Sequence, residues 1–139
     1  MSGFSSPRTQ YLEQVLLQAS ATSMATGTAK TIVTITLTPG DWDVSATAYH
    51  VPAATTTVSR YCAALSLVNN TLDATATTAG RFSDFYQTAF ASGGGTWNNA
   101  IPPYRFNVSV STPIYLVGLA TFATSTLASF GIIRARFMG

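Results

Sequence analysis

The chain has 139 residues, a length that suits one domain with one hydrophobic core. Charged residues make up 9% of it and apolar residues 47%, whereas ordinary soluble domains carry about 25% charged residues. With 22 Thr and a single Lys, the surface must consist of hydroxyl and amide groups more than of ions. This composition argues against a free cytosolic enzyme.

The seven basic and five acidic residues give a net charge of +2 and are scattered along the chain. A nucleic-acid-binding protein normally carries a dense stripe of Lys and Arg, so no nucleic-acid partner is expected. No apolar run reaches the 18 or so residues of a membrane span, and the first ten residues lack the basic-then-apolar order of a secretory signal. We therefore expect a soluble protein that stays in the compartment where it is made.

Alternating apolar and polar residues predict strands with one buried face. The first signal is ambiguous: residues 11–18 suit two helical turns or a strand, and we favour a strand over residues 14–21. Residues 31–38 place Val33, Ile35 and Leu37 on one face, and Pro39-Gly40 ends them. Residues 42–48 alternate in the same way, and we expect them to form a hairpin with residues 31–38.

Four more strands are predicted further along the chain, and no helix separates successive strands. A parallel α/β sheet is therefore excluded, and the prediction is an all-β, jelly-roll-like antiparallel β-sandwich of about eight strands. Its predicted core contains Trp42, Val44, Leu65, Val108, Leu116 and Phe122. The four strands are residues 57–68, 104–110, 114–122 and 127–137.

Two stretches predict loops, because small polar residues or glycines interrupt the alternation. Residues 69–80 read NNTLDATATTAG and predict a long surface loop. Residues 92–99 read SGGGTWNN, where Trp97 has two interpretations: it caps the core, or it is an aromatic anchor for a partner.

Few residues are suited to catalysis. His50 stands beside Val51-Pro52, and we interpret it as a polar residue at a strand edge. Asp41 and Asp43 share one strand face and are interpreted as solvated, although a glycosidase pair or a cation site stays open. Cys62 is the single cysteine, so no intrachain disulfide forms and a buried structural thiol is expected. No metal or cofactor motif occurs.

The polar first residues predict an N-terminal arm, residues 1–11, ahead of a single β-sandwich domain, residues 12–139. The arm is either a disordered tail or a segment that orders on a neighbouring subunit. In the second case Phe4, Arg8 and Tyr11 are its candidate contact residues. Because the arm carries one charged side chain, binding through it should depend weakly on salt.

Arg134 and Arg136 are two residues apart and so share one face of the last predicted strand. They are either an exposed strand end or bidentate donors to carboxylates or backbone carbonyls of a partner. The low charge of the whole chain also predicts self-association, in the first place as a dimer, with a trimer as the alternative.

Three segments resemble small structural proteins of tailed bacteriophages: residues 37–44 (LTPGDWDV), 113–122 (PIYLVGLATF) and 130–137 (FGIIRARF). In that family a turn-strand with Gly and Trp lies early, and a strand of the form Tyr-Leu-x-Ala-x-Phe precedes a closing strand with Ala and Arg. The resemblance covers residues 30–137. It departs from the family where Arg134-Ala135-Arg136 replaces adjacent arginines.

The resemblance implies a jelly-roll virion protein of the head cement, or decoration, type. Such a protein is not an enzyme, needs no cofactor, and binds the major capsid protein across neighbouring subunits on the outer surface of the capsid. It would be made in the host cytoplasm and would contact neither nucleic acid nor membrane. The alternatives are a receptor-binding tip domain of a tail fibre and, third, a carbohydrate-active enzyme built on Asp41 and Asp43.

Overall fold

The structure is a computed structural model and describes residues 10–139. Strands occupy most of that range, including the segments whose alternation of apolar and polar residues predicted them. A 3-10 turn (Gln18–Ser20) and one short α-helix interrupt the strands. Within the described range no helix is long and apolar enough to cross a membrane. The strands are β1 (Tyr11–Leu16), β2 (Thr22–Ser23), β3 (Lys30–Leu37), β4 (Gly40–Pro52), β5 (Thr57–Ser66), β6 (Phe82–Ala91), β7 (Trp97–Val108), β8 (Thr112–Ala123) and β9 (Leu127–Phe137), and the helix α1 spans Ala74–Thr78.

The strands pair in a nested order, all antiparallel: β1 with β9, β3 with β8, β4 with β7, and β5 with β6. The first half of the chain therefore folds back along the second half as a long ribbon. Additional pairing of β4 with β9 and of β5 with β8 rolls this ribbon into two sheets. Sheet A has the order β1-β9-β4-β7, with β2 beside β9, and sheet B has the order β3-β8-β5-β6. This is a jelly roll, which confirms the predicted fold class.

The core lies between the two sheets and is built around Trp42, which is fully buried. The indole Nε1–H donates to the carbonyl of Thr38 at 2.8 Å, and the ring meets Phe137 edge-to-face at 5.1 Å. The predicted core residues Val44, Leu65 and Leu116 lie in the same cluster. Two predictions need correction. Val108 is only partly buried against this cluster, and Phe122 packs on a second, smaller one near Leu127.

The predicted hairpin between β3 and β4 is wrong, because the two strands belong to different sheets. The chain passes from sheet B to sheet A through Thr38 and Pro39, and Gly40 follows with a φ of 139°. Glycine adopts this conformation without a steric penalty. The expected tight turn is therefore a crossover between sheets.

Other strand boundaries differ because of local irregularities. The first strand covers Tyr11–Leu16, earlier than the predicted residues 14–21. In β3 the register shifts between Thr31 and Val33, so Ile32 is buried and Val33 only half-buried. In β5 the strand ends at Ser66, which leaves Leu67 exposed. The sequence did not indicate β6, since exposed side chains occupy most of its length.

The predicted loop at residues 69–80 contains α1, which Asp73 caps by accepting from the Ala76 N–H at 2.6 Å. Burial alone would raise the pKa of Asp73, yet hydrogen bonds from Leu67 and Ala76 and the charge of Arg81 lower it below its ordinary value. Arg81 is buried and also donates to the Leu65 carbonyl. This network fixes the segment onto the end of β5.

Gly131 lies where β9 passes closest to β4, and we expect Gly131→Ala to destabilise the fold. An added Cβ would lie 2.5 Å from the Thr47 carbonyl oxygen, a backbone atom that cannot turn away. Overpacking of this kind costs on the order of 1–3 kcal/mol, measurable by chemical denaturation. Gly95→Ala is the control, because a Cβ there makes ordinary contacts, with Trp97 Nε1 at 3.4 Å and with the Ser92 carbonyl oxygen at 3.7 Å. Equal stability of the two variants would contradict the packing argument.

Candidate interaction surface

The outer face of sheet A carries charges in an ordered pattern that follows from the strand order. Neighbouring strands present opposite signs: negative on β1, positive on β9, negative on β4 and positive on β7. Opposite charges on adjacent strands are favourable cross-strand pairs, each contributing about 0.2–1 kcal/mol. We call this surface the charged face. Its residues are Glu13, Arg134, Arg136, Asp41, Asp43 and Arg105.

Three of the predicted contact residues, Tyr11, Arg134 and Arg136, come together on the charged face. Tyr11 stands opposite Arg136 in the pairing of β1 with β9, and Glu13 stands opposite Arg134. The Tyr11 hydroxyl donates to Glu13 Oε1 at 3.0 Å, and Arg134 Nε lies 3.6 Å from the same oxygen. With Asp43, these side chains line a shallow depression of about 200 Å³.

The charges of the charged face are not equally engaged. Arg105 Nη1 lies 2.6 Å from Asp41 Oδ2, and Arg134 is held near Glu13. Arg136 and Asp43 stand opposite each other in register, yet neither forms an ion pair with any of residues 10–139. Arg136 is exposed, so the donors of its planar guanidinium face solvent.

The alternative use of Asp41 and Asp43 as an acid–base pair is not supported by this geometry. Asp41 Oδ2 accepts from Arg105 Nη1 at 2.6 Å, so this oxygen is engaged inside the chain and does not face a substrate together with Asp43. In the described part of the chain, no group of three or more His, Cys, Asp or Glu side chains could hold a metal ion.

The remaining predicted contact residues lie elsewhere. Phe4 and Arg8 fall outside the described residues. Trp97 is half-buried between Tyr61 and Phe90, at ring distances of 5.2 and 4.7 Å. It stands opposite His50 on β4, seven positions from Asp43 and so about 23 Å along the strand. The packing favours the interpretation of Trp97 as a cap on the core.

His50 is not the strand-edge residue that its sequence context suggested, because β4 continues to Pro52 and its side chain is fully buried. It is the centre of a hydrogen-bond network between the sheets. Its Nδ1 lies 2.8 Å from Ser129 Oγ, and its Nε2 lies 2.9 Å from Asn99 Oδ1. Serine, histidine and asparagine in this order resemble a catalytic triad, but burial of all three denies access to a substrate.

The network fixes the protonation of the imidazole. The Asn99 amide donates to the Tyr61 carbonyl at 3.4 Å, so its oxygen must face His50 and accept from Nε2–H. Nδ1 then accepts a hydrogen bond from the Ser129 hydroxyl, and the ring is neutral. Burial without a nearby carboxylate lowers the pKa of His50 to about 4.

Cys62 is fully buried, as predicted from its place in a strand. Burial raises the pKa of its thiol to about 12, so the nucleophilic thiolate is scarce at neutral pH. Its context in β5 is that of a small hydrophobic side chain. The burial of Cys62 confirms the expectation of a buried thiol.

The sequence showed the pairs Arg134/Arg136 and Asp41/Asp43 as same-face residues, but it did not show that their strands are neighbours. It also gave no reason to select Ser45, which lines the depression, or Glu13, which stands opposite Arg134. The signal for Glu13 would have been the pairing of β1 with β9, which joins residues more than 110 positions apart.

No protein-family model matches the chain, and no curated protein matches it. Similar solved structures include infectious bursal disease virus of the Gx strain (TM-score 0.47, 7% identity, 95% of this chain) and of the Gt strain (0.37, 9%, 93%). Another is the VP2 subviral particle of that virus (0.34, 11%, 94%). This chain spans about a third of those chains: 32%, 29% and 30%. Likeness at this level concerns the fold alone, and the jelly-roll assignment rests on the strand pairing.

We expect stability to fall as the pH is lowered from about 6.5 to about 4. Unfolded His50 binds a proton at its ordinary pKa of 6.5, whereas in the folded chain it stays neutral down to about 4. The stabilisation is thus complete above pH 6.5, and roughly 3 kcal/mol of it is lost by pH 4. Urea unfolding between pH 7.5 and 4 measures this loss.

The control is His50→Gln, which keeps every carboxylate and removes the imidazole. This variant should be less stable than the wild type at pH 7.5, and the difference should shrink toward pH 4. Parallel stability curves for the two proteins would contradict the assignment of the pH dependence to His50.

Proposed function

We propose that the chain is a non-enzymatic cement protein of a tailed-bacteriophage head that binds the major capsid protein across neighbouring subunits. It would be made in the host cytoplasm and lie on the outer surface of the capsid. The observation that carries the proposal is the depression on the charged face, where Tyr11, Arg134 and Arg136 meet. The resemblance of residues 30–137 to phage structural proteins supports the same role.

The charged face suits docking on another protein more than binding of nucleic acid. Its three arginines are balanced by three carboxylates, so the face has complementary charges but no net charge. A phosphate backbone is attracted by net positive charge, whereas a folded protein edge presents both signs. The partner expected at Arg136 is a carboxylate or a carbonyl group of a capsid subunit, to which the guanidinium can donate two hydrogen bonds.

One such contact cannot hold the chain on a capsid by itself, because a hydrogen bond to a charged group is worth about 1.5–3 kcal/mol, whereas micromolar affinity requires about 8 kcal/mol. Cementing therefore requires several contacts to act together, as on a lattice where one bound contact raises the effective concentration of the next. The predicted arm, with Phe4 and Arg8, is the second contact in this proposal. The residue that follows residues 1–9 in the sequence, Gln10, accepts at its carbonyl from the Phe137 N–H at 2.9 Å, next to Arg136.

We expect Arg136→Gln to lower binding to heads that lack this chain by roughly tenfold or more, because a hydrogen bond to a charged group is worth about 1.5–3 kcal/mol. Co-sedimentation with such heads measures the loss. Arg105→Gln is the matched control, since the same side chain on the same face is already engaged by Asp41. It should bind within about threefold of the wild type.

Two results would contradict the proposal. Equal losses in both variants would indicate general electrostatic attraction without a docking site. Binding of the wild type to host cells and not to heads would favour the alternative, a receptor-binding tip of a tail fibre.

We also expect deletion of residues 1–9 to leave the fold intact and to weaken attachment to heads. The deletion stops before Tyr11, because Tyr11 belongs to β1 and pairs with Arg136. Because the deleted segment carries one charged side chain, the deletion should lower the affinity for heads by the same factor at low and at high salt. Full occupancy by the truncated protein, with an unchanged thermal melt, would eliminate the arm as a cementing element.

A further inference from the structure

Strand β6 forms one edge of sheet B, and among the described residues its first part, residues 82–86, carries few of the features that normally prevent edge-to-edge pairing. Its pairing with β5 becomes irregular only beyond Tyr86, between Tyr86 and Phe90. Natural sheet edges are protected by prolines, lysines, bulges or unpaired charges. In β6 there is no proline and no lysine, and its single charged residue is Asp84. Arg60 neutralises this carboxylate with two hydrogen bonds of 3.0 Å. We call residues 82–86 the β6 edge.

The other strands at sheet edges are protected. Pro102 and Pro103 interrupt β7, where a proline can donate no backbone hydrogen bond to an added strand. In β3 the N–H of Thr31 already donates to Asn70 Oδ1 at 2.8 Å. The short strand β1 presents Glu13. The contrast singles out β6.

Two aromatic side chains make the β6 edge still more suited to a partner. Tyr86 is 67% exposed and Phe85 40% exposed, although both lie in the middle of a strand. Tyr86 carries the Arg60 guanidinium 4.6 Å above its ring, and Phe85 stacks on Tyr61 at 5.0 Å. Both rings are therefore held in place before any partner arrives, which reduces the entropy cost of binding.

We propose that the β6 edge pairs with the β6 edge of a second copy of this chain, antiparallel about a two-fold axis, so that sheet B continues across the dimer. In a register centred on Phe85, Asp84 of each copy stands opposite Tyr86 of the other. The phenol hydroxyl can then donate to the carboxylate across the axis, twice by symmetry. Because Arg60 already balances Asp84, the two copies meet without like-charge repulsion.

A second copy fits this edge better than a strand of an unrelated protein for two reasons. The edge is complementary to itself, as the Asp84–Tyr86 pairing requires. A two-fold contact also uses both copies of the same edge and closes, and the protected edges at β7 and β3 then prevent further growth. The inference does not depend on binding to capsids, and its test uses the purified chain alone.

The first measurement is sedimentation equilibrium of the full chain from about 1 to 100 µM, where we expect a dimer. Tyr86→Asp would place two carboxylates opposite each other at each of two symmetric positions and should weaken the dimer about tenfold or more. Within its own chain the new carboxylate lies beside Arg60, so the fold should survive, and circular dichroism checks this. Thr36→Asp is the control, because Thr36 is also exposed but lies on β3, the opposite edge of sheet B, and this variant should leave the dimer unchanged.

Hydrogen exchange supplies a readout that needs no substitution. Those amides of residues 82–86 that point away from β5 should be protected at 100 µM and should exchange faster on dilution, while those of β7 should not change. A chain that is monomeric at 100 µM would overturn the proposal, and so would a dimer that Tyr86→Asp leaves intact. Protection of the β6 edge only after heads are added would assign the edge to a capsid segment and would equally overturn it.

Discussion

The strict alternation of β4 is the constraint on which the rest of the structure depends. Its thirteen residues pair with β7 on one side and with β9 on the other, so β4 joins the two halves of the chain within sheet A. Its inward side chains include Trp42 and His50, and its outward side chains include Asp41 and Asp43. A shift by one residue would bury the carboxylates and expose the indole. The core and the charged face are therefore two consequences of one register.

Whether a feature of the fold could be predicted from the sequence depends on how far apart in the chain the interacting residues lie. The faces of β4 followed from period two alone, and so did the shared face of Arg134 and Arg136, because alternation is a property of neighbouring residues. Strand partners are not local. A hairpin of β3 with β4 was the simplest expectation for two strands separated by Pro39-Gly40, yet β3 pairs with β8 in sheet B while β4 pairs with β7 and β9 in sheet A. β6 was not predicted, because it pairs with another strand, β5, along one edge only and most of its side chains are exposed to solvent.

The partners in the charged face and in the hydrogen-bond network of His50 are also distant in the sequence, so they could not be predicted either. His50 next to Val51-Pro52 looks like the end of a strand, and nothing near it in the sequence offers a hydrogen bond. Its partners Asn99 and Ser129 are 49 and 79 positions away. A buried imidazole in this fold thus depends on two distant residues, neither of which has a recognisable spacing from His50.

The charged face and the β6 edge differ in the forces that act on them, and this separates the two proposed contacts. Arg136 attracts a partner through an exposed charge, which added salt screens over a Debye length of about 8–10 Å. The β6 edge offers backbone hydrogen bonds and aromatic surface, and its only ion pair, Arg60–Asp84, is satisfied inside one chain. Added salt should therefore weaken the proposed docking through the charged face and leave the proposed pairing of the β6 edge unchanged. The two proposed contacts can thus be distinguished by their salt dependence alone.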